Sequence, residues 1–260
     1  MKNLISIIII IIIVFIGCKE KNYSDPTFDD KKCKMLTMSI KYNGGTTKFN
    51  YFYDVSNKLI TKTETTFSGD TTIVTTEYKY ENDTLRYSFT SSLEQPSDTF
   101  YYFYNSSHML TKTIEFHHSF PTSYIEETEF IFNGDNHVIK TYTRKIASKS
   151  ISVDSGRYQY SNGNLIDIML WNLGSHPMVI NYREFSYDNG KNMYNSTGEP
   201  QISFKYWSKN NAIHYLADFG SQWFSFNNTI GQYNSTGYPL LISERVEDNN
   251  STYTLEYQCE

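Results

Sequence analysis

The phrase "YFYDVSNKLITKT" at residues 51–63 returns as "YFYNSSHMLTKT" at 102–113. A repeat of that length restricts the chain to architectures built by setting copies of one small unit side by side. The unit has three parts: an aromatic-x-aromatic doublet, a short polar turn, and an aliphatic residue five or six positions after the second aromatic. Tyr51 and Tyr53 lead to Leu59, Tyr78 and Tyr80 to Leu85, and Tyr102 and Tyr104 to Leu110. Phe130 and Phe132 lead to Val138, Tyr158 and Tyr160 to Leu165, and Phe185 and Tyr187 to Met193. The second aromatics lie 27, 24, 28, 28 and 27 residues apart.

In an extended strand, residues i and i+2 share a face, so each doublet forms an aromatic ridge on one side. Asn-Gly at 133–134, 162–163 and 189–190 supplies the positive φ values of tight hairpin turns. A Thr-rich strand such as "LITKTETT" then runs back. One hairpin cannot hide its ridge alone, so successive hairpins must pair edge to edge. The expected fold is all-β, an antiparallel meander of repeated hairpins curved into a barrel-like or superhelical sheet lined by Tyr and Phe. A two-sheet β-sandwich is the alternative, but Thr61, Thr63 and Thr65 on one face and Lys62 and Glu64 on the other leave neither face strongly apolar.

Composition agrees. Aromatic residues make up 17% of the chain, 23 of them Tyr, which suits a pleated, half-buried surface and excludes disorder. A second echo, "YNSTGEP" at 194–200 and "YNSTGYP" at 233–239, reads as the same motif with Gly-x-Pro in place of Asn-Gly. "STYTLEYQCE" reads as a closing strand. "NNAIHYLADFG" at 210–220 is the one stretch with room for a short helix.

"MKNLISIIIIIIIVFIGC" opens the chain. Lys2 provides a positive start, and the apolar stretch from Leu4 to Ile16 is too short to span the roughly 30 Å hydrocarbon core as a helix. It reads as a signal-peptide core. The segment Phe15-Ile16-Gly17-Cys18 resembles a bacterial lipobox, with Phe15 where Leu is usual. That resemblance implies cleavage before Cys18, transfer of diacylglycerol to its thiol and acylation of its new amino group. Three parts follow: a signal peptide at 1–17, a lipidated Cys and polar tether at 18–32, and a single all-β repeat domain at 33–260. The expected partner is therefore the membrane, through an N-terminal lipid. Lys19 in place of Asp implies, by resemblance to Gram-negative lipoproteins, the outer membrane. Charged residues interrupt any lipid-facing aliphatic band, which argues against a membrane-spanning barrel.

The formal net charge is −5, and no run of five Lys or Arg occurs, so a nucleic-acid partner is not expected. Two cysteines remain after Cys18. Cys33 and Cys259 are candidates for a disulfide, which an oxidising compartment permits and which requires the first and last strands to be neighbours; the alternative is two unrelated near-terminal thiols.

The Tyr-x-Tyr-Asp/Asn units behind a lipobox resemble the Tyr-Asp-repeat-like lipoproteins common in Bacteroidota and, distantly, the Tyr-Asp repeats of Rhs-type shell proteins. The likeness covers roughly residues 45–260. "YFYD" and "FSYD" keep the Tyr-Asp dipeptide, and Asn, Glu or Ser replaces Asp elsewhere. It implies a β-repeat fold and carries no settled activity.

Chemistry is sparsely written. No GxSxG, HExxH, Walker loop or dinucleotide glycine motif is present, and no cofactor or metal is expected. Glu115 and His117 in "IEFHHSF" share a strand face, an arrangement open to an acid–base pair, a weak metal site or a plain solvated strand end. Asp70-Thr71-Thr72 and Asp83-Thr84-Leu85 resemble the Asp-Ser/Thr-aliphatic acceptor of envelope O-glycosylation. Trp171, Trp207 and Trp223, in the less regular C-terminal half, are candidates for stacking on a ligand; the alternative is that they fill the sheet interior. The expected function is a noncatalytic envelope lipoprotein that binds a glycan or protein through its curved aromatic sheet. A structural or adhesive repeat module and a hydrolase with residues converging from several strands are the alternatives.

Overall fold

The computed structural model describes residues 32–92, 98–118, 123–147, 150–172, 178–220 and 222–259. The leader at 1–17, Cys18 and all but the last residue of the 18–32 tether lie outside the described residues.

Sixteen strands are found among the described residues. The first eight are β1 (Cys33–Tyr42), β2 (Gly45–Tyr53), β3 (Leu59–Ser68), β4 (Asp70–Glu81), β5 (Thr84–Ser92), β6 (Asp98–Tyr104), β7 (Leu110–His117) and β8 (Tyr124–Phe132). The second eight are β9 (Val138–Ala147), β10 (Ser150–Ser161), β11 (Asn164–Asn172), β12 (Met178–Lys191), β13 (Asn210–Asp218), β14 (Trp223–Tyr233), β15 (Pro239–Val246) and β16 (Asn249–Cys259). Each pairs antiparallel with its sequence neighbours, and β16 returns to β1, so the meander closes into a barrel. Closure leaves no sheet edge exposed. The stretch at 210–220 that had room for a helix is β13.

The repeat carries a bulge. In the first five units the first aromatic pairs regularly, but the second sits opposite the aliphatic residue, and one returning residue is skipped: Phe52 pairs with Thr61 and Tyr53 with Leu59, leaving out Ile60. The same irregularity falls at Lys79/Tyr80, Phe103/Tyr104, Ile131/Phe132 and Gln159/Tyr160. A bulge bends its strand and increases local twist, so one device written into five of the six units curves the wall toward closure; in the sixth, Tyr187 pairs with Ala212 and Met193 lies in a 3-10 turn instead of a returning strand. It also turns Leu59, Leu85, Val138 and Leu165 inward, where all are buried.

Two turn types serve the units. In the turns starting at Asp54, Asn105, Asn133 and Asn234, the first side chain accepts hydrogen bonds from the backbone two and four residues on, at 2.8–3.1 Å. The fourth residue takes the left-handed conformation: Asn57, His108, Asn136 and Gly237. Asn82-Asp83 and Asn162-Gly163 form two-residue turns with positive φ throughout. Asn-Gly therefore acts as expected at 162–163 but not elsewhere. At 133–134 the left-handed residue is Asn136, because the Asn133 side chain organises a longer turn. At 189–190 the pair lies inside β12, where a Cβ on Gly190 would come within 2.4 Å of the Tyr233 ring; close packing demands that glycine.

The tyrosine hydroxyls stitch one unit to the previous one. Tyr80 donates to the Leu59 carbonyl at 3.0 Å, Tyr160 to Val138 at 3.0 Å, Tyr187 to Leu165 at 2.6 Å, and Tyr53 to Met35 at 2.8 Å. First aromatics lie deeper: Tyr51, Tyr78, Tyr102, Phe130 and Tyr158 are all buried. Inward threonines pair across strands, Thr47 with Thr66, Thr76 with Thr90, and Thr128 with Thr143. Both ridges thus face the lumen, and the Thr-rich strands satisfy their hydroxyls there.

Candidate functional site

All the repeat turns lie at one end of the barrel, with Cys33 and Cys259; this follows from the strand order. At that end the chain between β12 and β13 enters the lumen. It carries two 3-10 turns, Met193–Ser196 and Phe204–Tyr206. The second echo splits here: "YNSTG" at 233–237 leads into a hairpin turn, whereas at 194–198 the same letters form the first lumen turn. Asn192 closes the segment on itself, its amide nitrogen donating to the Lys205 and Ser208 carbonyls at 2.8 and 2.9 Å. Glu199 anchors it to the wall through an ion pair with Lys62 and accepts hydrogen bonds from Tyr78 and Tyr206 at 3.2 and 3.0 Å.

Beside this segment the lumen holds a cavity of about 240 Å³. Four rings form one wall. The Phe185 ring is stacked on Tyr187 at 6.0 Å and on Tyr215 at 5.3 Å, and Tyr215 on Phe226 at 4.5 Å, all within 20° of parallel. These residues sit on inward positions of β12, β13 and β14, so the sheet itself sets their alignment. Acceptors line the same cavity. Glu244 takes a hydrogen bond from the Tyr253 hydroxyl at 2.7 Å. Asn228 donates to the Ala212 carbonyl at 2.8 Å, while its own side-chain oxygen is buried without a hydrogen-bond partner. Burial, reinforced by the Glu244 charge, pushes the Tyr215 and Tyr253 hydroxyls well above the usual phenol range, so both remain neutral donors.

The three tryptophans do not converge. Trp207 is in the lumen, edge-on to Tyr158 at 4.7 Å and to Phe130 at 6.2 Å, its indole N–H donating to the Gln201 carbonyl. Trp171 is on the outer wall, where it lines a groove with Tyr142, Arg157 and Gln159. Trp223, three strands away on the outside, is 46% exposed with the Arg183 guanidinium 4.1 Å above its ring. The structure also joins Cys33 and Cys259 in a disulfide. Of the acceptor-like sequences, Asp70 and Thr71 are exposed at the start of β4 and Asp83 is paired with Lys58.

At the opposite end of the lumen, Glu115 and His117 face inward with Asp98 beside them. Burial and the neighbouring Glu126 and Asp98 push the Glu115 carboxyl up to about 8. A His–carboxylate group of this kind is what the hydrolase alternative requires.

Sequence reasoning missed Glu199, Glu244, Asn228 and Asp98, which reach their partners across the lumen or from the next strand. Phe226 had a signal: "WFSF" holds an aromatic-x-aromatic doublet, Phe224 and Phe226, without the turn and aliphatic residue that follow elsewhere.

The fold and cavity together define a closed sixteen-stranded antiparallel barrel whose lumen is occupied at one end. Solved structures share the barrel fold. A porin-like protein from Bacteroides uniformis ATCC 8492 matches with a TM-score of 0.56 at 10% identity, over 87% of this chain and 98% of that one. A porin-like protein from Bacteroides vulgatus ATCC 8482 matches with a TM-score of 0.57 at 12% identity, over 87% and 99%. No protein-family model and no curated protein matches the chain.

Proposed function

We propose that this protein is a noncatalytic, lipid-anchored envelope barrel that binds a glycan end in its lumen cavity. The observation that carries the reading is the wall formed by Tyr187, Phe185, Tyr215 and Phe226, faced by the acceptors Glu244 and Asn228. A sugar ring offers an apolar C–H face to such rings and hydroxyl donors to such acceptors. The unpartnered Asn228 oxygen is a buried acceptor that a ligand hydroxyl satisfies.

The porin-like description of the two Bacteroides neighbours supports an envelope setting. The outer wall supports water rather than lipid around this barrel: Glu127 pairs with Arg144 at 2.8 Å and with Lys112 at 3.5 Å on outward positions of three adjacent strands. Membrane contact then runs through the Cys18 lipid, with the outer membrane as the site of anchoring. Fractionation of Cys18→Ser tests the anchor, since release into the soluble fraction is expected and retention in membranes contradicts it. A glycan array on the wild-type protein tests the ligand class.

A second reading places a protein or longer glycan on the outer groove, where Trp171 and Tyr142 flank Arg157 and Gln159. Loss of binding in Trp171→Ala with the lumen variants unaffected would favour it.

A further inference from the structure

We propose that Asp98, Glu115 and His117 form a binding site for a zinc-class divalent metal ion on the lumen wall, at the end away from the disulfide. Asp98 opens β6, and Glu115 and His117 close β7, so adjacent antiparallel strands bring the three to one level. One ligand atom from each lies within 4.8 Å of the others. The site is therefore assembled by the sheet.

The geometry of His117 is specific. Its ring is stacked on Tyr124 at 4.1 Å and 20°, which fixes the plane in which its nitrogens point. Nδ1 is 3.4 Å from an Asp98 oxygen and Nε2 is 3.1 Å from a Glu115 oxygen. Nε2 is fully enclosed, and despite that proximity no aligned hydrogen bond reaches it. Two ligands of one zinc ion, each about 2.0–2.1 Å from the metal, lie about 3 Å apart without pointing at each other. The His117–Glu115 separation matches that spacing. Asp98 then either completes the ligand set or receives the Nδ1 proton, the usual means of orienting a metal-bound imidazole.

The surrounding charge points the same way. Glu126 lies directly opposite Glu115 on β8, and Lys145 offsets it through an ion pair at 3.2 Å. Three carboxylates and one imidazole converge against one nearby ammonium, and a dication relieves their repulsion. The imidazole selects zinc-class ions over calcium or magnesium, which favour all-oxygen sets.

The test uses the full-length protein in detergent, stripped with a chelator. Calorimetric titration with Zn²⁺ is expected to show one equivalent bound per chain, with no competition from excess Ca²⁺. His117→Ala and Glu115→Gln should each weaken it by about tenfold or more. The wild-type protein gives a second readout by NMR, independent of any effect of the variants on the barrel. Zn²⁺ should shift the His117 imidazole and leave the other five histidines in place. Absence of Zn²⁺ binding, equal preference for Ca²⁺, undiminished binding in both variants, or shifts at other histidines instead would each overturn the proposal.

Discussion

Cys33 and Cys259 face one another across the seam between the first and last strands, their Cα atoms 4.1 Å apart and their sulfurs bonded. The bridge spans 226 residues of sequence and locks the contact with the greatest loop-closure cost in the chain. On the chain-entropy model such a closure contributes about 5 kcal/mol or slightly more. Urea melts of the oxidised protein and of Cys33→Ser/Cys259→Ser should differ by an amount of that order, with the double variant less stable. Equal midpoints would mean that the sheet closes without help from the bridge.

The hydroxyl stitches predict a graded effect. Tyr80→Phe and Tyr160→Phe each remove a hydrogen bond to a carbonyl of the preceding unit while keeping the ring, so each should cost about 1 kcal/mol in a denaturant melt. The two sites belong to units on opposite sides of the Phe130 unit, so their costs should add. Costs near zero would show that the rings alone hold the units together.

Glycines 156 and 134 should answer oppositely to alanine. A Cβ on Gly156 would lie 2.4 Å from the Tyr158 hydroxyl and 2.6 Å from Thr141 Oγ1, disrupting the 3.1 Å hydrogen bond between them. Gly156→Ala is expected to cost about 1–3 kcal/mol. Nothing lies within 4 Å of a Cβ on Gly134, and its φ is not positive, so Gly134→Ala should be neutral or stabilise slightly. Thermal melts of the pair check this.

Glu199 ties the lumen segment to the wall through Lys62, Tyr78 and Tyr206. Glu199→Ala leaves the half-buried Lys62 ammonium without its partner and should cost about 2–3 kcal/mol; Lys62→Met combined with Glu199→Gln should cost less than Glu199→Ala alone. Limited proteolysis should cut between residues 192 and 209 faster in Glu199→Ala. An unchanged cleavage pattern would show that the segment is held by its apolar contacts.

The wall was legible and its contents were not. Period-2 doublets, turn residues and aliphatics recur in sequence because each solves the same local problem, so hairpins, meander and curvature follow from them. The bulge at Ile60 and its counterparts was hidden, since a skipped residue leaves the alternation intact on either side. The lumen segment was illegible for a different reason. "YNSTG" is compatible with a hairpin turn and with a 3-10 turn, and at 194–198 the choice falls to contacts such as Glu199 with Lys62, made 137 residues apart. The cavity inherits that difficulty: Phe185 and Tyr187 announce themselves as a doublet, while Asn228 and Glu244 acquire meaning only once β12 to β15 are adjacent.

Affinity of the lumen cavity for sugar is the central claim, and one comparison tests it most directly. Binding of an array-selected glycan is measured by calorimetry for the wild-type protein and for Tyr215→Ala, Phe226→Ala and Trp171→Ala. The account predicts that each lumen variant loses about tenfold in affinity, the equivalent of one aromatic stack, and that Trp171→Ala matches wild type. Full affinity in both lumen variants, with loss confined to Trp171→Ala, would contradict it and move recognition to the outside of the barrel.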